Sequence, residues 1–257
     1  MGEVRVELRL KDGIAGIFLN RPEKSNALSS ALLDELLSRL KELGGAAGLR
    51  VAVLAGHGQS FCGGADVQEM ANLDSSSAEV FIGKIHACCD AIRKLEAPVV
   101  ARLHGAVIGA GLELAASCDL RIAAEGTRFA MPEVRLGMPS VVEAALLPRL
   151  VGAGRAAWLV MTGEPIDAQT AQAWGLVEEL APAAALDDRV GQLLERLVAA
   201  DAAALAQQKT LLRLWQEAPL SEAVAASIGM YARAYQAGGP NRRLRATISR
   251  GRRTKEH

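Results

Sequence analysis

The chain carries no net charge and has very few aromatic side chains. Its 257 residues include 29 basic and 29 acidic side chains, while Phe, Trp and Tyr together make up 4%. Because the charges balance, no overall electrostatic field draws the chain to nucleic acid or to an anionic membrane. Half of the residues are hydrophobic, so we expect a core of aliphatic side chains. The length suits one large domain or two small ones.

Cysteine is scarce, and no run of residues is apolar for long enough to span a membrane. The four cysteines include the adjacent pair Cys88 and Cys89, and no Cys-x-x-Cys spacing occurs. This pattern argues against a disulfide framework and against a zinc site. No apolar run approaches the roughly 18 residues of a membrane helix, and the first residues lack the apolar core of a signal peptide. These absences predict free thiols, no bound metal and a cytoplasmic protein.

The spacing of apolar residues changes about halfway along the chain. Up to about residue 131, short apolar or alternating stretches are interleaved with helical patterns, whereas after about residue 140 the pattern is helical and no further strand is predicted. The predicted strands cover 3–10, 14–19, 50–55, 99–103, 120–124 and 127–131. After a first leucine-rich helix that Ser29 or Ser30 can cap, the predicted helices cover about 78–94, 109–118, 141–151, 154–162, 167–174, 183–199, 201–215 and 219–236. The final segment, 238–257, is rich in arginine and is interpreted as either a solvated helix or a basic tail.

Two glycine-rich loops each follow a predicted strand and precede a predicted helix. The first is Phe61-Cys-Gly-Gly-Ala-Asp66, and the second covers residues 105–111. Glycine allows positive φ angles and a close approach to a ligand. The N–H groups of Ala65 and Ala110 are therefore candidate donors to a ligand oxygen, and they could form an oxyanion hole together if the two loops meet in space. The alternative is that both loops are ordinary strand-to-helix turns.

Three glutamates lie in or close to apolar stretches. Glu113 belongs to the helix of small residues, where burial would favour its neutral form and suit acid–base chemistry; alternatively, it only interacts with the helix dipole. Glu133, taken alone, is interpreted as a solvated loop carboxylate. Glu143 is interpreted as a helix-surface residue, and the alternative is a third acid near the site.

Six motifs in the same order resemble those of the crotonase superfamily, also called the enoyl-CoA hydratase/isomerase family. They span about residues 4–235. Each motif is weak alone, but the ordered set is specific. The matching stretches are Asn20-Arg-Pro-x-x-x-Asn26-Ala-Leu28, Gly56-x-Gly-x-x-Phe-Cys-Gly-Gly-Ala-Asp66, Gly105-x-x-x-Gly-x-Gly-x-Glu-Leu-Ala115 with Cys118-Asp119, Pro132-Glu133-x-x-x-Gly137, Thr162-Gly-Glu-x-Ile-x-Ala168 and Trp174-Gly-Leu-Val177.

The resemblance implies an α/β fold and a thioester site. The fold would be a crotonase-like spiral of ββα repeats over residues 1–195, which carries the CoA-thioester site, followed by a helical trimerisation region with a basic tail over 196–257. Family members form trimers that often pair into hexamers. The residues that match the family's contacts to the CoA thioester are Lys24, Ser25, Ala27, Ala65, Asp66, Val67, Gln68 and Ala110.

The resemblance also implies roles for the two best-matched glutamates. The N–H groups of Ala65 and Ala110 would form the oxyanion hole, and Glu113 and Glu133 would share one water molecule. Glu113 would help to deprotonate that water, and Glu133 would deliver a proton to C2 of the substrate. The reverse assignment stays open, because coupled carboxylates share their protons.

The expected function is therefore that of an enoyl-CoA hydratase, which adds water to a trans-2-enoyl-CoA. Isomerases of this family generally need only the carboxylate at the position of Glu133, so the presence of Glu113 favours hydration. The alternatives are a Δ3-Δ2-enoyl-CoA isomerase and a non-catalytic member that binds acyl-CoA or, through its basic tail, RNA. No cofactor is expected, since coenzyme A is part of the substrate. The expected partners are an acyl-CoA thioester and further copies of the chain, and neither a membrane nor nucleic acid is expected.

Overall fold

A computed structural model describes residues 5–236 and 238–253. Over these residues the chain forms nine strands and eleven α-helices, and it divides into two compact units, of which one ends at Ala200 and the other begins at Asp201. The strands are β1 (Val6–Lys11), β2 (Ile14–Leu19), β3 (Val51–Gly56), β4 (Val99–Leu103), β5 (Ala106–Ile108), β6 (Leu120–Ala124), β7 (Arg128–Ala130), β8 (Ile166–Asp167) and β9 (Glu179–Ala181). The helices are α1 (Ser30–Gly44), α2 (Val67–Met70), α3 (Ser75–Lys94), α4 (Ala110–Ser117), α5 (Leu147–Val151), α6 (Ala153–Thr162), α7 (Ala168–Trp174), α8 (Leu186–Ala199), α9 (Ala202–Glu217), α10 (Leu220–Gln236) and α11 (Gly239–Arg253).

The larger sheet of the first unit has six strands in the order β1-β2-β3-β4-β6-β9. Strands β1 and β2 form an antiparallel hairpin, and every later pair in this sheet is parallel. The hairpin turns at Asp12 and Gly13, whose φ angles are 52° and 79°, as the Asp-Gly pair predicts. All six residues of β3 are buried, which is typical of a parallel strand that is covered on both faces.

A second, three-stranded sheet has the order β5-β7-β8, and a bridge from Val107 to Cys62 extends it by one position. The chain therefore repeats one pattern: a strand in the larger sheet, a strand in the smaller sheet, and then a helix or a helical turn. The clearest repeat is β4, β5 and α4. The predicted spiral of strand–strand–helix turns followed by a helical region is confirmed.

The prediction that strands end before residue 140 was wrong, because β8 and β9 lie after it. These strands are two and three residues long, which is too short for an alternating pattern to show. Helix α3 also begins three residues before the predicted start. Its capping box pairs the side chain of Asp74 with the N–H of Ser77, and the Ser77 hydroxyl accepts from the N–H of Asp74.

The second unit contains helices α9, α10 and α11. Asp201 caps α9 by accepting a hydrogen bond from the N–H of Ala204, and its carboxylate lies 3.2 Å from the guanidinium of Arg243. Helix α11 shows that the arginine-rich segment is helical over Gly239–Arg253, and the rest of that segment, 254–257, lies outside the described residues. Over residues 5–236 and 238–253, no helix is both long and apolar enough to cross a membrane.

Asn26 ties together the segments that enter the site region. Its side-chain nitrogen lies 2.9, 2.8 and 3.2 Å from the carbonyl oxygens of His57, Ser60 and Phe61, and its side-chain oxygen accepts from the N–H of Arg21 at 2.8 Å. Asn26 is fully buried and has a φ angle of 56°, a left-handed conformation that asparagine tolerates better than most residues. One amide thus fixes the first glycine-rich loop to the turn after β2.

Replacing Asn26 by Ala should lower the free energy of unfolding by about 2–4 kcal/mol, because it leaves several buried polar groups without partners. Urea denaturation followed by circular dichroism measures the change. The matched control is Asn72→Ala, since the exposed Asn72 amide donates one hydrogen bond, to the carbonyl of Gln68, and should shift stability by about 0.5 kcal/mol or less. Equal effects of the two substitutions would contradict the anchoring role of Asn26.

Candidate active site

A cavity of about 610 Å³ lies between the two glycine-rich loops and helix α3. Residues 63–65 of the first loop and 108–110 of the second both line it. The requirement that these distant loops meet in space is therefore fulfilled. Glu113 and Glu133 also line this cavity, so four of the predicted site residues, Ala65, Ala110, Glu113 and Glu133, surround one space.

Glu113 is held in the first turn of a helix that is buried along its whole length. All eight residues of α4 are buried, and Glu113 is 5% exposed. A Cβ atom at Gly111 would lie 2.6 Å from the carbonyl oxygen of Cys62 and 2.9 Å from its sulfur, so the glycine allows the helix to pack directly on the first loop. Burial raises the pKa of Glu113 to about 8, and the negative charges of Glu133 and Glu143 add to the rise.

Glu133 begins a short 3₁₀ turn, Glu133–Leu136, at the end of β7. One of its carboxylate oxygens, Oε2, accepts a hydrogen bond of 2.8 Å from the hydroxyl of Ser140. The other oxygen lies against Gly109, where a Cβ atom would be only 2.4 Å from Oε1. Gly109 also has a φ angle of 51°, so both the backbone conformation and the space for Glu133 require glycine at this position.

Two main-chain N–H groups beside the cavity are free to bind a ligand. The bridge between Leu28 and Ala65 uses the carbonyl of Gly64 and the N–H of Asp66, so the N–H of Ala65 points away from Leu28. Ala110 is the first residue of α4, and helix geometry leaves the first N–H groups without an intrahelical acceptor. Within the part of the chain that the structure describes, neither N–H donates a hydrogen bond. Ala65 and Ala110 both line the cavity, so their N–H groups remain candidate donors to a ligand oxygen.

Glu143 is buried, so its interpretation as a helix-surface residue was wrong. It lies in a 3₁₀ turn, Val142–Leu146, and is 5% exposed. Its Oε1 lies 2.8 Å from Nδ1 of His86, whereas its Oε2 has no hydrogen-bond partner among the described residues. Because its charge contributes to the raised pKa of Glu113, Glu143 is a third acid close to the candidate pair.

The segments expected to contact coenzyme A lie next to each other. The N–H of Gly63 donates to the carbonyl of Ser25, and Nζ of Lys24 lies 3.4 Å from Oε1 of Gln68. Among the residues expected to contact the CoA thioester, Ala65, Val67 and Ala110 line the cavity. The other five, Lys24, Ser25, Ala27, Asp66 and Gln68, lie outside it. The N–H groups of the following residues are already used within the protein: Lys24, Ser25, Ala27, Asp66 and Gln68. The carbonyl oxygens of these residues each accept one hydrogen bond within the protein as well. These positions therefore offer a ligand their side chains and the second lone pair of each carbonyl oxygen.

Two supporting residues were missed by the sequence analysis. Nη1 of Arg21 donates to Asp66 at 2.5 Å and to the carbonyl of Ala27 at 3.1 Å, which joins the two segments. Burial alone would raise the pKa of Asp66, but Arg21 and the N–H groups of Gln68 and Glu69 lower it below its usual value. Ser140 is the second missed residue. Arg21 lies inside a quoted motif, whereas no signal in the sequence marks Ser140.

The cysteines and the acidic groups form no metal site in the part of the chain that the structure describes. All four cysteines are free and buried. No group of three or more His, Cys, Asp or Glu side chains within residues 5–236 and 238–253 is arranged to hold a metal ion.

Comparison with known proteins identifies the class. The family model described as enoyl-CoA hydratase/isomerase matches residues 9–239. The 2,3-dehydroadipyl-CoA hydratase of Escherichia coli is 36% identical over 209 residues, which are 80% of this chain and 81% of that protein. The mitochondrial enoyl-CoA hydratase of Pongo abelii is 36% identical over 193 residues, which are 74% of this chain and 66% of that protein.

Solved structures agree with the sequence comparison. An enoyl-CoA hydratase of Mycobacterium smegmatis superimposes with a TM-score of 0.93 at 32% identity, over 96% of this chain and 97% of that chain. An enoyl-CoA hydratase of Bacillus anthracis gives a TM-score of 0.92 at 29% identity, over 96% and 97%. The chain therefore belongs to the enoyl-CoA hydratase/isomerase family.

Replacing Glu113 by Gln should stabilise the protein at neutral and alkaline pH. The folded pKa of about 8 is higher than the usual value, so the folded state binds more protons than the unfolded state between about pH 4.5 and 8. The free energy of unfolding of the native chain should therefore fall as pH rises through this window. Glutamine removes that dependence, and at pH 7 we expect a gain of about 1–3 kcal/mol.

Chemical denaturation at pH 5, 7 and 8.5 measures this effect. The control is Glu125→Gln, because Glu125 is exposed and its loss should leave the pH dependence unchanged. If the Glu113→Gln variant keeps the pH dependence of the native chain, Glu113 does not have the raised pKa on which the candidate site depends.

Proposed function

We propose that this member of the enoyl-CoA hydratase/isomerase family is a hydratase, which adds water across the 2,3 double bond of a trans-2-enoyl-CoA. The observation that carries the proposal is the meeting of two glutamates with two unpaired main-chain N–H groups at one cavity. Hydration needs both kinds of group, because the thioester oxygen gains negative charge while one proton leaves water and another reaches carbon. The same four residues match the motifs that implied this reaction.

In the proposed reaction, the N–H groups of Ala65 and Ala110 donate hydrogen bonds to the thioester oxygen. The positive end of the α4 dipole adds to their effect. Attack of water at C3 moves negative charge onto this oxygen as an enolate. Donors that are already oriented stabilise such charge without reorganisation, and the loss of one typically costs about 3–4 kcal/mol of transition-state stabilisation.

The two carboxyl groups supply the proton transfers. The pKa of Glu113, raised to about 8, keeps a proton on this carboxyl group at neutral pH. Glu113 can then give its proton to C2, while the carboxylate of Glu133 accepts a proton from the water that attacks C3. This distribution favours the reverse of the assignment that the family resemblance implied. Each turnover takes one proton from water and gives one to the substrate, and transfer of the proton from Glu133 back to Glu113 restores the starting state.

Coenzyme A is proposed to lie along the two joined segments outside the cavity. The available groups are the side chains and the second carbonyl lone pairs at Lys24, Ser25, Ala27, Asp66 and Gln68. The ammonium group of Lys24 is exposed, as a contact to a phosphate would require. We propose no further cofactor, since the acyl thioester brings its own coenzyme A, and we propose a cytoplasmic location.

We also propose that the chain assembles into homotrimers, alone or paired as hexamers. Large apolar side chains are exposed on the helices of the second unit, where a single subunit leaves them facing water. They are Leu212, Trp215, Leu220, Val224, Ile228, Tyr231, Leu244 and Ile248.

Light scattering coupled to gel filtration should give three or six times the chain mass of 27.0 kDa. Replacing Ile228 by Glu places a charge among these apolar side chains and should shift the protein towards the monomer. The matched control is Glu222→Gln, on the same helix. A native chain that elutes as a monomer at micromolar concentration would rule out the proposed assembly.

Hydratase activity should appear as the loss of the conjugated thioester absorbance of crotonyl-CoA. Both Glu113→Gln and Glu133→Gln should lower kcat/KM by at least about a hundredfold, because each removes one proton-transfer group. Glu164→Gln, which changes an exposed carboxylate outside the cavity, is the control and should leave the rate unchanged. A Δ3-Δ2-isomerase would instead convert 3-enoyl-CoA, would tolerate Glu113→Gln and would lose activity only with Glu133→Gln. Binding without either reaction would leave a non-catalytic acyl-CoA carrier.

A further inference from the structure

The part of the cavity beyond the two glutamates has an apolar wall. Helix α3 contributes Phe81, Ile82 and Ile85. Ile85 lies four residues after Phe81 and three after Ile82, and positions three and four residues apart share a face of a helix. Phe81 and Ile85 are almost completely buried. The turn after Glu133 contributes Leu136 and Met138 from the other side. A group that extends past the candidate thioester site therefore meets hydrocarbon on both sides.

The charged side chains that line the cavity are all acidic. Besides Glu113 and Glu133 they are Asp74 and Glu79, and none of the described lining residues is Lys, Arg or His. The hydrogen bond from Ser77 holds the pKa of Asp74 below its usual value, so this carboxylate stays ionised. A ligand carboxylate in the cavity would lose water and would find acidic side chains but no cation to pair with, which is unfavourable for a buried charge.

The two cations closest in sequence to this wall are bound elsewhere. Nζ of Lys84 lies 2.7 Å from a carboxylate oxygen of Asp34. Nε of Arg135 donates to the carbonyl of Thr162 at 2.8 Å. Neither side chain lines the cavity, so neither is placed to neutralise an anionic group inside it.

The cavity is larger than a short acyl group needs. If each non-hydrogen atom takes roughly 30 Å³, as a water molecule does in the liquid, a four-carbon acyl group with its oxygen fills roughly 150 Å³. The cavity of about 610 Å³ leaves space for several more carbons, even with part of it occupied by the arm that carries the thioester.

We propose that this cavity selects an uncharged hydrocarbon acyl group of about six carbons or more and rejects acyl groups that end in a carboxylate. This inference rests on the proposed function, in that the cavity must hold an acyl-CoA thioester. Its physical basis is separate from the hydration chemistry. Burial of each added methylene against the apolar wall favours binding, whereas a terminal carboxylate on the acyl group would meet four acidic side chains and no basic one.

The test measures binding of saturated acyl-CoAs, which cannot be hydrated. Isothermal titration calorimetry compares butyryl-, hexanoyl- and octanoyl-CoA with adipoyl-CoA, a six-carbon group that ends in a carboxylate. Each buried methylene should tighten binding by about fourfold, and adipoyl-CoA should bind at least about tenfold more weakly than hexanoyl-CoA. Equal binding of adipoyl- and hexanoyl-CoA, or no gain with chain length, would overturn the inference.

A matched pair of variants tests the charge argument directly. Leu136→Arg places a cation on the cavity wall at a position that is 58% exposed, so folding should tolerate it. It should reduce the preference for hexanoyl-CoA over adipoyl-CoA by about tenfold. Val134→Arg adds the same charge to the same turn but outside the cavity lining, and it should leave the preference unchanged. If both variants change it equally, the charge of the cavity does not set the selectivity.

These outcomes separate the inference from the proposed function. If hydration is absent but the order of acyl-CoA affinities is as expected, the selectivity stands and the hydratase assignment fails. If crotonyl-CoA is hydrated but the affinities do not follow chain length, the hydratase assignment stands and the selectivity fails. If no acyl-CoA binds, both fail, because the cavity does not hold the thioester.

Discussion

The burial of the Glu113 carboxyl group is the constraint on which the rest of the site depends. A carboxyl group in an apolar environment is costly to ionise, so it keeps its proton at pH values where a solvated carboxyl group has lost it. Here the cost arises because α4 is surrounded on all sides, which in turn requires Gly111 to pack directly on the first loop. Ala65 of this loop and Ala110 of α4 line the same cavity. The packing that raises the pKa of Glu113 therefore also places the two candidate main-chain donors at one cavity.

Much of the fold could be predicted from the sequence, since it is expressed in local patterns. The amphipathic leucines of α1, the Asp-Gly turn and the cap at Ser29 all have short-range signals, and these elements lie where they were predicted. Strands β8 and β9 could not be found in this way, because their pairing is decided by neighbours that are distant in sequence. Glu143 was misjudged for a related reason: the burial of its 3₁₀ turn and its contact with His86 depend on residues that are distant in sequence.

The candidate site was predicted in a different way. The glycine-rich loops indicated main-chain N–H donors, and the acid in an apolar helix indicated a carboxyl group for acid–base chemistry. Only the ordered motifs of the family added Glu133 to these candidate site residues. The meeting of the two loops depends on the strand order of both sheets, which spacing along the chain does not express. Ser140 and the link between Arg21 and Asp66 depend on the same three-dimensional arrangement.

The proposed oxyanion donors belong to the main chain, so substitutions during evolution affect them less than they affect side-chain groups. Exchanging the side chains at positions 65 and 110 leaves the N–H groups in place, provided that the residue is not proline. A lineage that keeps the spiral therefore keeps the ability to hold a thioester oxygen, whatever happens to the surrounding side chains. New reactions can then arise by exchanging carboxyl groups and wall residues around a fixed centre, so descendants can diverge in chemistry without rebuilding the scaffold.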